Sequence, residues 1–326
     1  MTESGSPPDL SIVIVNWNSR DVLRKCLISV IETGSGVRHE IIVVDNASFD
    51  GSAEMLEREF PSVCFIQSSK NLGFGKANNL GFARSTGQNL LFLNPDTEII
   101  GTALSTMMSF ADHRQDVGIV GPKLLNSDLT VQMDSIKAFP SLINQILDSH
   151  YLKHRFPRLS IWGMQPLFSS SSTPAPVDVV SGASLMIKRH VFERVGGFSK
   201  QYFMYSEDVD LCYRVREAGW SAYFVGCAEV VHHGGKSSAL NTVSQFAAVL
   251  TRESRFRFLR TARGTAYAFS FRLITGANAM CRLALLVLSF PLLGLLRGAN
   301  VGKTMGKWVH ILRWSVGLER WVKTLG

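Results

Sequence analysis

Four consecutive β-branched residues between polar ends, Ser11-Ile-Val-Ile-Val-Asn16, open the ordered pattern of this chain and predict a strand buried on both faces. Asp21 to Ile31 then carries apolar residues at helical spacing, and Glu40-Ile-Ile-Val-Val-Asp45 repeats the strand signature. A helix is predicted over Ser52–Phe60, a short strand over Val63–Gln67, a loop entering a helix over Leu72–Ser85, and a fourth strand over Asn89–Asn94. Strand and helix alternating at this spacing imply an α/β fold whose central sheet is mostly parallel and flanked by helices. Further along, the pattern predicts a helix over 101–113, strands over Gly118–Pro122 and Ser221–Val225, and β character from Val177 to Ile187. Ala138 to Pro176 is irregular, and Ser169–Pro176 reads as a loop. No internal repeat is visible, and the α/β body is expected to end near residue 260.

Charge divides the chain more sharply than hydropathy does. From Arg252 to Lys323 there are thirteen Lys/Arg against Glu253 and Glu319, a net +11 in a chain whose total is +8. The preceding residues therefore carry a slight negative net charge. A basic tail on such a body is expected to meet an anionic partner. The tail also holds a fourteen-residue apolar run, Leu283 to Leu296, flanked by Arg282 and Arg297. This is shorter than the roughly twenty residues of a spanning helix. Basic flanks on a short apolar run favour an interfacial or shallowly inserted helix on an anionic membrane surface over a nucleic-acid surface. The five cysteines are scattered without metal or redox spacing, as expected of buried, reduced thiols. The polar first nine residues lack the apolar core of a secretory signal.

Several predicted strands end in polar groups: Asn16-Trp17-Asn18, Asp45-Asn46-Ala47-Ser48 and Asn94-Pro95-Asp96. In open parallel sheets ligands bind outside these carboxyl ends. One such Asp is ordinary helix capping, a role open to Ser48 or Asp50; several along one edge suggest a site. No Gly-x-Gly-x-x-Gly and no phosphate-loop lysine follows the first strand, so any nucleotide is expected to be held by base and ribose, through groups such as Asp45, Asn46 or Asn78. Asp96 offers a carboxylate to a divalent cation on two phosphates, and one of His232 and His233 can join it, since adjacent residues of an extended chain point apart. Lys236 is a further candidate for phosphate. Tyr205-Ser206-Glu207-Asp208-Val209-Asp210-Leu211 packs three carboxylates into four positions at a helix start. Helix-terminus charge matching accounts for one of them; repulsion among three raises at least one proton affinity, as a general base requires.

Taken in order, Val13–Asn18, Val43–Ser48 with Asp50-Gly-Ser52, Asn71–Phe74 with Asn78–Gly81, Leu93–Asp96, Ser181–Ala183, Arg194–Phe198, Glu207–Leu211 and His232–Ser237 resemble the family 2 glycosyltransferases, within them the rhamnosyltransferase-like bacterial branch. The resemblance covers roughly residues 10 to 240. It implies a GT-A fold over residues 1–262, with 263–326 as a helical membrane-associating region. It also implies a nucleotide-diphosphate sugar donor, a lipid-linked or polysaccharide acceptor in cell-surface glycan synthesis, no nucleic acid, and a cytoplasmic, peripheral place on the inner membrane face. In this reading Asn16, Asp45, Asn46, Asn71 and Asn78 hold the donor, and Asp96 with His232 binds Mg²⁺ or Mn²⁺. Asp208 deprotonates the acceptor and Glu207 orients it. Asn94 stands where many members carry the first Asp of an Asp-x-Asp, a mark of this branch that leaves one charged ligand there. L-Rhamnose from its deoxythymidine-diphosphate donor is the sugar the branch suggests. A sugar nucleotidyltransferase would need a glycine-rich loop after the first strand, which is absent. A catalytically silent glycan- or nucleotide-binding scaffold would be expected to lack Asp96 or Asp208, and both are present.

Overall fold

The computed structural model describes residues 7–146, 155–156, 159, 173–234 and 245–325. Its chain divides into two compact units: one of residues 1–139, 158–200 and 207–239, the other of 140–157, 201–206 and 240–326.

The first unit is built on β1 (Leu10–Asn16), β2 (His39–Asp45), β3 (Cys64–Gln67), β4 (Asn89–Leu93), β5 (Thr97–Ile99), β6 (Val117–Leu125), β8 (Ala175–Val177), β10 (Ser184–Lys188) and β11 (Ser221–His232). Among the described residues these form one nine-stranded sheet in the order β3-β2-β1-β4-β10-β6-β11-β5, with β8 on β11. Two further short strands, β7 (Ile136–Lys137) and β9 (Val179–Val180), pair with each other. The expected parallel sheet is present through β3-β2-β1-β4. Beyond it, β10 runs antiparallel to β4 and β6, and β11 is parallel to β6 but antiparallel to β5 and β8, so the whole sheet is mixed.

β1, β4 and the apolar part of β2 are buried on both faces, which is why they read as continuous apolar runs rather than alternating ones. On one face Ile12, Ile14, Val43, Leu91 and Leu93 pack with Leu23, Cys26, Leu27 and Val30 of helix Arg20–Thr33 and with Leu104 and Met107 of helix Ala103–Asp112. On the other, helix Phe74–Phe82 approaches so closely that a Cβ on Gly81 would overlap Val13 Cγ1. Phe82, Phe92, Phe192 and Phe198 there form an aromatic group with ring centroids 4.8 to 5.6 Å apart, edge-to-face except for the tilted Phe92–Phe192 pair. Contrary to the expectation of buried thiols, only Cys26 and Cys212 are buried; Cys64, Cys227 and Cys281 are exposed. Cys64 shows why: it opens the edge strand β3, whose outer side has no neighbouring strand among the described residues.

In the second unit, helix Gln245–Arg263 packs against the helical span Thr265–Ser315. As one straight rod that span would place residues 282 and 308 about 39 Å apart. Yet the Arg282 guanidinium lies 4.7 Å from the centre of the Trp308 ring, and Arg272 donates to the carbonyls of Trp314 and Ser315. The span therefore reverses between 282 and 308 into a helical hairpin. Ala248, Ala279 and Ile311 are buried between its arms and helix Gln245–Arg263. Both acids of the basic tail are buried: Glu253 accepts from Trp314 Nε1 and Arg257 Nε, and Glu319 from His310, Arg313 and Trp321.

Phe192→Ala removes the ring shared by three aromatic pairs, and is expected to lower the unfolding free energy by about 3–5 kcal/mol, read from urea denaturation followed by circular dichroism.

Candidate active site

β1, β2 and β4 run in the same direction, so their carboxyl ends, with Asn16, Asp45 and Asn94, lie along one edge. Asp45 is 1 % exposed, and its carboxylate accepts from Asn16 Nδ2 (2.9 Å), the Ser48 backbone N–H (2.8 Å) and Gln67 Nε2 (2.8 Å). Ser48 can bond back because Ala47 adopts φ 65° and turns the chain directly after β2. Asn16 also donates to Ser52 Oγ (2.9 Å), while its own Oδ1 is buried with no hydrogen-bond partner among the described residues. Asn46 accepts from the Leu72 N–H (2.8 Å) and donates to Asn71 Oδ1 (2.9 Å), which in turn accepts from the Gly73 N–H (2.9 Å). Asn78 donates to the Phe74 carbonyl one turn back, and its Oδ1 is buried and without a partner among the described residues. Asn16, Asp45, Asn46 and Asn71 are thus largely engaged in shaping the edge itself. Asp50 caps two helices, accepting from the N–H groups of Arg20 and Ser52.

The pairing of Thr97 with His232 across β5 and β11 brings the Asn94–Asp96 turn against a histidine 136 residues later in the chain. His232 Nε2 lies 3.4 Å from the fully buried Asp96 Oδ1 and 3.4 Å from Asn94 Nδ2. His233 points elsewhere, to Glu98 (2.7 Å) and Ser127 (2.8 Å). The orientation of His232 is set by Gln132, which no sequence motif marks. Gln132 Nε2 donates to Asn126 Oδ1 (3.2 Å), so its Oε1 faces His232 Nδ1 at 2.8 Å and must accept. Nδ1 therefore donates to Gln132, and Nε2 is the ring nitrogen turned towards the Asp96 carboxylate. A ring nitrogen and a carboxylate oxygen facing each other this way are the pair of atoms that could hold a divalent cation. Lys236 falls outside the described residues, as does much of the irregular 138–176 segment.

The turn Ser181–Ala183 links this pair to the carboxylate helix Glu207–Glu217. The Asn94 N–H donates to the Ala183 carbonyl (2.9 Å), and the Gly182 N–H to Asp208 Oδ2 (3.2 Å). Gly182 packs directly on Asp208, since a Cβ there would lie 3.4 Å from the Asp208 Cβ. The three carboxylates have separate fates. Asp210 is buried and bonded to Arg214 (2.7 Å), whereas Asp208 is half-buried, its Oδ1 accepting the Val209 N–H (2.8 Å). Glu207 is buried, with Oε2 unpartnered among the described residues. Burial, reinforced by repulsion from Asp208, pushes its carboxyl up to about 8. A group so shifted carries its proton at neutral pH and is no base there.

A sequence model of glycosyl transferase family 2 matches residues 11–173, and one of glycosyl transferase family 21 matches 160–314. The chain belongs to glycosyl transferase family 2. It is 29 % identical over 255 residues, 73 % of its length and 80 % of the relative's, to the N-acetylglucosaminyl-diphospho-decaprenol L-rhamnosyltransferase of Mycobacterium tuberculosis. To the rhamnosyltransferase WbbL of Escherichia coli K12 it is 26 % identical over 68 % of this chain and 82 % of that one. Among solved structures, a mannosyltransferase from Pyrobaculum calidifontis in complex with GDP-Man and Mn²⁺ superposes with TM-score 0.58 and 14 % identity over 96 % of this chain and 88 % of that one. The fold is that of the GT-A glycosyltransferases, and the protein is a glycosyltransferase.

The Glu207 shift has a consequence for stability. Between the ordinary carboxyl value of 4.5 and about 8 the folded chain holds a proton that the unfolded chain has released, so this group's contribution to stability falls as pH rises through that window. Glu207→Gln is expected to match the wild-type urea midpoint near about pH 5 and to exceed it near about pH 9. Parallel midpoint profiles would show that Glu207 is ionised in the fold.

Proposed function

We propose that this glycosyltransferase moves a sugar, L-rhamnose by preference, from a nucleotide-diphosphate donor to a lipid-linked or polysaccharide acceptor, with inversion, at the cytoplasmic face of the cell membrane. The observation that carries the reading is the Ser181–Ala183 turn, hydrogen-bonded on one side to Asn94 of the Asn94–Asp96 turn and on the other to Asp208. Inverting transfer needs these two functions near each other: a base for the incoming hydroxyl and a counter-charge for the departing diphosphate.

Asp208 accepts the acceptor proton as the oxygen attacks the anomeric carbon. The bond from that carbon to the diphosphate oxygen breaks on the opposite face, and the nucleoside diphosphate leaves. The Gly182 N–H holds the Asp208 carboxylate in place, and protonated Glu207 spares the site a second negative charge while offering an O–H to orient the acceptor. Asp45, Asn16, Asn46, Asn71 and Asn78 form the edge that receives the base and ribose, with Asp45 accepting from them. Asp96 and His232 are the ligands for Mg²⁺ or Mn²⁺, which when bound would neutralise the charge developing on the diphosphate. The Mn²⁺ named with the mannosyltransferase neighbour supports that choice. The names of the two rhamnosyltransferase relatives support the sugar, and the decaprenol diphosphate in one of them supports a lipid-linked acceptor. The basic, apolar hairpin supports the membrane location.

Asp208→Asn is expected to lower sugar transfer at least about 100-fold while nucleotide affinity changes little, measured by product formation and by nucleotide titration. Loss of nucleotide binding together with transfer would remove Asp208 from the role of base. Gln132→Leu frees the His232 tautomer and is expected to weaken Mn²⁺ binding about 10- to 100-fold, read directly by electron paramagnetic resonance of free Mn²⁺. Unchanged Mn²⁺ affinity would separate His232 from the metal.

A further inference from the structure

A surface helix of a protein in water turns its apolar side inward and its polar side out. The first arm of the hairpin in the second unit, residues 266–288, does the reverse. Its exposed large side chains are Phe269, Leu273, Met280, Leu285, Val287 and Leu288, with Leu273 and Leu288 73 % and 76 % exposed. The other exposed positions of the arm hold only alanine or cysteine. At about 100° per residue all of them fall within roughly 160° of the helix surface, along a face about 33 Å long. The two charged residues, Arg272 and Arg282, lie on the opposite side, and no hydroxyl or amide side chain of the arm is exposed. Each of these polar groups is bonded within the unit. Arg272 donates to the carbonyls of Trp314 and Ser315, and Arg282 to Asn278 Oδ1. Ser270 and Thr275 donate to the carbonyls of Ala266 and Phe271, one turn back, and Tyr267 Oη accepts from the Leu142 N–H. An uncharged apolar exterior with every polar group satisfied inside is what hydrocarbon demands and water does not. A seam for a second helix is narrower than this face, whereas acyl chains cover its whole width.

The neighbour of the arm decides how that face can meet a bilayer. Helix Gln245–Arg263 runs antiparallel to the arm, Phe256 meeting Phe269 with 5.6 Å between ring centres and Ala248 packing with Ala279. That helix carries Arg252, Arg255, Arg257, Arg260 and Arg263. An arm that crossed the bilayer would draw these charges into hydrocarbon with it. An arm lying in the plane of the interface buries its apolar face and leaves the arginines among the headgroups, where anionic lipid suits them. We propose that residues 266–288 lie in the membrane plane with the Phe269–Leu288 face embedded in the acyl layer of an anionic leaflet. This inference rests on the membrane location proposed above and adds to it the surface that makes the contact and its orientation.

The test is sedimentation of the full-length protein with vesicles of phosphatidylcholine and phosphatidylglycerol. Leu273→Glu/Met280→Glu is expected to weaken vesicle binding about tenfold or more. Ile28→Glu/Ile31→Glu, which places the same charge on exposed apolar positions of helix Arg20–Thr33, is expected to change it less than about twofold. All four positions are exposed, and circular dichroism of each variant checks its folding. Equal losses in the two double variants would reduce the effect to surface charge and overturn the face while leaving the membrane location standing. Absence of vesicle binding by the wild type would overturn both. Depth is read by electron paramagnetic resonance of nitroxides at Leu273→Cys, Met280→Cys or Val287→Cys, each made with Cys64, Cys227 and Cys281 replaced by serine. Equal depths just below the headgroups are expected. A crossing arm would separate the first label from the last by about 20 Å of depth and overturn the in-plane orientation. A lipid-free wild-type dimer that Leu273→Glu/Met280→Glu dissociates, seen by light scattering, would give the face to a second copy of the chain and overturn the lipid.

Discussion

A polar group removed from water must find its partners inside the fold, and this constraint organises both units of the protein. Asp45 is the clearest case. Its carboxylate meets a side chain from β1, a side chain from β3 and the backbone of its own turn, so one buried charge fixes three strand ends together. Asn46 does the same for the 71–73 loop, and Asp50 for the first turns of two helices. The rigidity of the edge comes from this satisfaction of buried groups as much as from apolar packing, and a site that must hold reacting atoms within fractions of an ångström needs that rigidity. Glu207 meets the constraint another way: its Oε2 is buried without a partner among the described residues, and the carboxyl is pushed up to about 8 and keeps its proton.

Much of the fold could be read in advance because a parallel strand buried on both faces leaves an unbroken apolar run. β1, β2 and β4 are legible for that reason, and the turns after them for their Asp and Asn residues. What local pattern cannot carry is distance along the chain. β5 is three residues long, too short for any periodicity, yet its pairing with β11 is what sets Asp96 beside His232. Gln132 lies in a segment without a motif, and its part is visible only once Asn126 and His232 are seen on either side of its amide. The three carboxylates at 207–210 looked alike in sequence; burial and Arg214 separate them into a buried carboxyl that keeps its proton, a half-buried one and an ion-pair partner.

The tail shows the same limit. Composition and the apolar run predict a helical tail over 263–326 but give neither the bounds of the span Thr265–Ser315 nor its direction. The reversal is betrayed only by tertiary contacts: Arg272 at the carbonyls of Trp314 and Ser315, Arg282 on Trp308, and Gly276 so close to Ser315 that a Cβ would overlap its hydroxyl. Thr265–Ser289 is long and apolar enough, by length and composition, to cross a membrane. Ala268, Phe271 and Ala279, however, are buried in the interior of the unit, which ties its first fifteen residues to protein.

Charge then decides how such a hairpin can meet a bilayer. Were Glu253 and Glu319 exposed, they would offset part of the tail's positive charge and meet repulsion at an anionic surface. Both are buried instead, one bonded to an indole N–H and an arginine, the other to a histidine, an arginine and a second indole. The tail's negative charge thus holds the unit together. Each of these carboxylates has exchanged its hydration for two or three donors inside the unit, the same exchange that holds Asp45 at the sheet edge.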